Sequence, residues 1–72
     1  MAQSSGHSGV VTAFDEAVGL GVVRSTDGVE LPFHCTAIAD GTRNIAEGAV
    51  VQYRVVPGRA GRWEATELVD AP

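Results

Sequence analysis

His34 and Cys35 are the two residues of this chain whose types and adjacency most suggest chemistry, an imidazole base beside a thiol nucleophile. A nucleophile and its base must come within hydrogen-bond reach. Neighbours in an extended strand point to opposite faces, so the pair is read as non-catalytic and Cys35 as a small, partly buried hydrophobe. Catalytic residues are therefore expected to be none, and the chain is not expected to be an enzyme. Metal ligation fails on ligand count: besides His34 and Cys35 there is only His7, near the N-terminus, short of the four ligands of a structural zinc site. No metal and no cofactor are expected. The carboxylates Asp15 and Glu16 lie in a loop and are read as solvated. What remains is a small set of groups suited to binding: Phe14, His34, Trp63 and five arginines, the chain having no lysine.

The elements that must position these groups follow from composition and pattern. Seventy-two residues allow one domain, and 44% hydrophobic with 19% charged residues is too apolar for a disordered segment. Eighteen of the 72 are β-branched, against three Leu and one Met, which favours strands. The formal charge of −4 argues against strong nonspecific attraction to a polyphosphate and leaves only local patches for it. A single cysteine precludes an intrachain disulfide and fits a reducing, cytoplasmic setting. No charged leader precedes an apolar run, and no stretch approaches the ~20 apolar residues that cross a bilayer, so no membrane association is expected.

Residues 1–8 are small and polar and read as a mobile tail, 9–69 as the domain, and 70–72 as a C-terminal tail. Within the domain, five strands are expected at Val10 to Phe14, Leu20 to Ser25, Val29 to His34, Ala49 to Pro57 and about Trp63 to Val69. Asp27-Gly28 marks a hairpin between the second and third. Thr36 to Ile45 has no sustained period and is expected to connect the third and fourth with at most one helical turn. Val51, Tyr53 and Val55 alternate with Gln52 and Arg54, the pattern of a half-buried strand. Val11, Val23, Leu31, Phe33 and Leu68 join those three in the expected core. Glycines 19 and 21, costly in a strand unless a bend or close approach requires them, fit the kinks that close a small barrel. The expected class is all-β: a five-stranded antiparallel Greek-key barrel of the oligonucleotide/oligosaccharide-binding (OB-fold) type.

The residues also resemble a known family, the cold-shock domain. Gly9-Val10-Val11-Thr12-Ala13-Phe14-Asp15 resembles its Gly-x-Val-Lys-Trp-Phe-Asn opening, and Val18-Gly19-Leu20-Gly21-Val22-Val23 its Lys-Gly-Phe-Gly-Phe-Ile motif. Glu30 to Ile38 is similar to Asp-Val-Phe-Val-His-Phe-Ser-Ala-Ile. The resemblance runs from Gly9 to about Val69. It implies binding of single-stranded RNA or DNA by base stacking on strands one to three, with Phe14, His34 and Arg59 as the binding residues it points to here; Trp63, outside the family's motifs, is a further candidate because an indole can stack. It also locates the losses: Thr12 and Val18 stand for lysines, Ala13 for Trp, Leu20, Val22, Pro32, Cys35 and Thr42 for aromatics. Since a base–aromatic stack contributes ~1–3 kcal/mol, the implied binding is weak. His34 is either a base-contacting group or a surface histidine without a ligand; Phe14 either stacks on a base or packs at the barrel edge; Trp63 either stacks or covers one barrel end. Ala13, Leu20, Val22 and Pro32, if co-exposed, make an aliphatic patch, and the alternative reading is a protein-interaction or self-association module on the same barrel. Pro32 is expected to interrupt or bow strand three, and a bulge near Trp63 or Glu64 is expected to bring Ala65 and Leu68 inward.

Overall fold

The structure is a computed structural model that describes residues 7–39, 44–58 and 61–70. Five strands are present: β1 (His7–Asp15), β2 (Leu20–Ser25), β3 (Glu30–His34), β4 (Val50–Pro57) and β5 (Trp63–Asp70), with a 3₁₀ turn at Cys35–Ala37 after β3. All ladders are antiparallel in the order β3-β2-β1-β4-β5. Placing β4 beside β1 after two hairpins is the Greek-key arrangement. β1 serves two neighbours: His7 to Val10 pair with β4, and Gly9 to Asp15 with β2. β3 packs alongside β5. A parallel bridge between Ile38 and Leu68, with the Ala39 amide donating to the Leu68 carbonyl at 2.8 Å, ties the ends of the sheet together.

β1 begins three residues before the expected Val10. His7 and Ser8, read as tail, pair with Tyr53 and Gln52, and the His7 ring stacks on Tyr53 with centroids 5.8 Å apart. At the other end β5 extends through Asp70, which pairs with Val51. The β2–β3 hairpin closes through Gly28 N–H to Ser25 C=O and Ser25 N–H to Val29 C=O. Three residues thus span the turn, with Gly28 at φ +92°, a bulged hairpin rather than a two-residue one.

The interior holds Val11, Val23, Phe33, Ile38, Val51, Tyr53, Ala65 and Leu68. Leu31 and Val55, expected inside, are half-buried and pack against this cluster, and Ile38, expected in the connection, completes it. Gly21 is required by close approach: a Cβ there would lie 2.7 Å from Phe33 Cε2 and 2.9 Å from the Ala13 carbonyl oxygen.

Two irregularities set which side chains face out. In β1 the register slips between Val11 and Ala13, so Thr12 is the extra residue of a bulge, its hydroxyl 3.4 Å from the Val22 carbonyl. In β5 the slip lies opposite Gln52 to Arg54, where Val69 to Thr66 accommodate one residue more. The extra residue is Glu67, at φ +54° and paired to Arg54 at 3.1 Å. The bulge therefore falls at Glu67, three residues beyond Glu64 and four beyond Trp63, and it does bring both Ala65 and Leu68 inward.

β3 runs unbroken through Pro32, contrary to the expected interruption. The ladder explains this. Gly19 and Cys35, like Ser25 and Val29, are joined by hydrogen bonds, so the odd-numbered rows between them are the bonded ones. Pro32 lies opposite Val22 in a non-bonded row, and its nitrogen points away from β2, where a missing donor costs no ladder bond.

Candidate nucleic-acid interface

Directly opposed residues of an antiparallel ladder share a face. The registers of β1, β2 and β3 therefore build the outer surface as rows: Asp15, Leu20 and His34 in one, Ala13, Val22 and Pro32 in the next, Val10, Arg24 and Glu30 in a third. Leu20 is 51% exposed, Ala13 and Pro32 are exposed, and Val22 is half-buried. The four residues expected to form an aliphatic patch are thus co-facial. They line a shallow depression of about 410 Å³ whose rim carries the carboxylates of Asp15 and Glu47.

Phe14 belongs to the opposite set. The Thr12 bulge turns it onto the row of Gly21 and Phe33, where its ring lies nearly parallel to Phe33, 3° between planes and centroids 5.9 Å apart. It is half-buried against the core, with one side open to the same depression. Of its two expected roles, barrel-edge packing is present.

At the end of the first row the surface opens into a cleft of about 780 Å³ lined by Leu20, Pro32, His34, Pro57, Arg62 and Glu64. His34 is exposed and caps the 3₁₀ turn: its Nδ1 accepts from the Thr36 amide at 3.3 Å and lies 3.0 Å from the Thr36 hydroxyl. With Nδ1 accepting, the neutral ring carries its proton on Nε2, leaving a hydrogen-bond donor at the free edge. Because the strand stops at His34, Cys35 does not simply point to the other face. Its Sγ lies 3.8 Å from His34 Nδ1, nearer than strand alternation predicts. That nitrogen is already engaged by Thr36, and Cys35 is half-buried against the core and close over Gly19, so packing remains its role.

Arg59 lies outside the described residues. The cation that the structure brings beside His34 is Arg62, which sequence reading passed over because nothing in a short loop fixes which side of β5 its first residues face. Glu47 and Glu64 were missed for the same reason; the Glu47-Gly48 pair signals only a turn. Trp63 is 58% exposed and lines a different cavity, with Tyr53 and Val55, at the barrel end by the β2–β3 hairpin. It therefore stands apart from His34 and Arg62. Asp15, read as solvated, is exposed yet holds the β1–β2 loop, accepting from the amides of Ala17 at 3.0 Å and Val18 at 3.3 Å.

Chemically the face offers an apolar floor, one imidazole donor, the guanidinium of Arg62 in the cleft and that of Arg24 in the third row, and a set of carboxylates. A base can lie on the floor, yet a phosphate chain would meet Asp15, Glu47 and Glu64 as well as Arg62. No group of three or more His, Cys, Asp or Glu side chains suited to a metal occurs among the described residues. A search among curated proteins found no match. The family model described as "'Cold-shock' DNA-binding domain" matches residues 7–71, from the first residue of β1 to just past the end of β5. With the barrel, its register and this match together, the chain belongs to the cold-shock domain family, whose members bind nucleic acid.

Proposed function

We propose that this domain binds single-stranded RNA or DNA weakly, over the outer face of β1–β3 and into the His34–Arg62 cleft. The observation that carries the reading is the continuity of the two rows, Ala13–Val22–Pro32 and Asp15–Leu20–His34, with that cleft. Bases rest on Leu20, Val22 and Pro32 by apolar contact in place of stacking, His34 Nε2–H donates to a base or sugar acceptor, and Arg62 meets a phosphate. Aliphatic contact forgoes the ~1–3 kcal/mol that each aromatic stack supplies. The acidic rim opposes the backbone further.

A labelled single-stranded oligonucleotide followed by fluorescence anisotropy tests this. Binding in the micromolar range or weaker is expected, with a shallow salt dependence because each phosphate neutralised contributes only about −0.7 to the slope for single strands. Replacing Arg62 by Ala should weaken every sequence alike and flatten that slope by about one phosphate's share. Tight binding unaffected by Arg62→Ala and His34→Ala would refute the assignment.

Co-exposure of Ala13, Leu20, Val22 and Pro32 favours a second reading, a weak protein or self-association surface on the same face. The standard interface buries ~800 Å² per partner, more than four small side chains offer, so only transient pairing is expected. Leu20→Asp abolishing concentration-dependent sedimentation, with no oligonucleotide bound by the parent chain, would favour it over the first.

A further inference from the structure

The barrel end that holds Trp63 carries a second cavity, about 400 Å³, which shares no lining residue with the His34–Arg62 cleft. Its walls are the apolar side chains of Val29, Leu31 and Val55 and the rings of Tyr53 and Trp63. An exposed indole and a carboxylate at one edge mark it as more than a dent. Trp63 leaves 58% of its surface exposed over an apolar hollow. Tyr53, only 2% exposed, has a buried hydroxyl with no hydrogen-bond partner. Its polar neighbour Ser25 donates to Asp27 Oδ1 and accepts from the Val29 amide at 3.0 Å, which leaves the Ser25 oxygen a second lone pair beside the phenol. The phenol is thus enclosed, and Tyr53 gives the cavity ring surface rather than a hydrogen-bonding group.

The charge at the mouth selects the ligand. Asp27 lines the cavity with Ser25 and His7. The Ser25 hydroxyl, then the backbone amides at Asp27 and Val29, hold its carboxyl below the usual range, so it is an anion at neutral pH. The anion beside the exposed face of Trp63 disfavours a phosphate or carboxylate and favours a cation, while the His7 ring is stacked on Tyr53. We propose that this cavity binds a small aromatic amine: its ring stacks on Trp63 over Val29 and Val55, and its ammonium reaches Asp27. Ring and charge must be carried together, because the cavity is apolar except at that one edge.

The chain has a single tryptophan, so its emission reports this site alone. Phenethylamine titrated into the full chain should shift or quench that emission saturably. 3-Phenylpropionate, the same shape with opposite charge, should bind at least about fivefold more weakly, the scale of one exposed ion pair. Asp27→Asn should weaken phenethylamine about threefold to fivefold. Asp27→Lys, which reverses the charge at the mouth, should weaken it at least as far. Far-UV circular dichroism establishes that each variant is folded, and the amine-against-acid comparison needs no variant. No saturable change up to the solubility limit of the amine, or equal binding of amine and acid, overturns the proposal. So does unchanged amine binding in both folded variants.

Discussion

Returning aromatic rings to the outer face should restore tight oligonucleotide binding, and the structure says which positions accept them. Leu20 and Pro32 are exposed and lie in adjacent non-bonded rows of the β2–β3 ladder, Leu20 opposite His34 and Pro32 opposite Val22. In such rows opposed Cβ atoms are about 4.5–5.5 Å apart, and rows on one face are about 6.6–6.8 Å apart along the strand. Two phenylalanines there would stand on neighbouring rows without entering the core. Pro32→Phe introduces an amide that points away from β2, to be met by water, so the ladder is unchanged. Each base stacked contributes ~1–3 kcal/mol. The carboxylates of Asp15 and Glu47 beside the floor argue for the lower end. Two stacks at that end give about 2 kcal/mol, about 30-fold in affinity.

The assay is anisotropy of a labelled oligonucleotide against the parent chain and the Leu20→Phe/Pro32→Phe double variant, at one fixed salt concentration. Tryptophan emission is unsuitable as the reporter, since Trp63 lines the other cavity. A gain below about fivefold in a variant with native circular dichroism would refute the argument that missing stacking limits binding. Sub-micromolar affinity in the parent chain would refute it equally.

Gly21→Ala should destabilise the barrel by about 1–3 kcal/mol through overpacking against Phe33, lowering the melting temperature by about 4–8 °C per kcal/mol for a domain of this size. Glu67→Gly should be neutral or stabilising in chemical denaturation, since releasing a positive-φ side chain recovers about 1 kcal/mol or more and the exposed ion pair with Arg54 contributes only about 0–1; Glu67→Val should destabilise. Burial first, and the field of Asp27 second, push the phenol of Tyr53 above its ordinary value. Its folded value thus exceeds the unfolded one near 10, so the stability this raises is complete below about pH 10 and lost as pH climbs through the folded value. Absorbance of this single tyrosine should show one transition displaced upward, and Tyr53→Phe should remove that alkaline loss.

Much of the barrel is legible from short-range pattern. β2 runs from Leu20 to Ser25 as its bounding turns imply, and the Val51–Tyr53 alternation places both side chains inside. What escapes is decided by contacts far apart in the chain. Ile38 becomes core only because it bridges to Leu68, thirty positions on. Glu67 occupies a positive-φ bulge that a sequence reader would assign to glycine or asparagine. The Thr12 bulge turns Phe14 inward without any local signal, since no glycine or proline marks it. The candidate interface divides the same way. The aliphatic patch follows from period-two alternation within three strands, whereas Arg62, Glu47 and Glu64 reach it from loops and strand ends whose side is set by closure of the barrel.

These two kinds of information explain how a barrel can keep its architecture while its binding face is rewritten. Inward rows such as Phe14–Gly21–Phe33 and Val11–Val23–Leu31 carry the packing, and outward rows such as Ala13–Val22–Pro32 share none of their side chains. Burial stabilises by roughly 25 cal/mol per Å², and exposed Leu20 or Pro32 contributes little of it. Replacing aromatics by aliphatics on the outward rows therefore costs binding far more than folding. The exceptions are informative: Val22 is half-buried, and Phe14, the one ring of the motif that remains in β1, is the one whose bulged strand commits it to Phe33. Truncating Phe14 to Ala should accordingly register first as a loss of stability, by about 1–3 kcal/mol for a half-buried ring set against the roughly 3–5 of a fully buried one. Any loss of oligonucleotide affinity at a temperature where the variant stays folded should be smaller than that of the His34→Ala variant. Denaturation and anisotropy on the same two variants separate the cases, and Phe14→Ala lowering affinity more than His34→Ala while leaving the denaturation midpoint unchanged would show that its ring works outward rather than against Phe33.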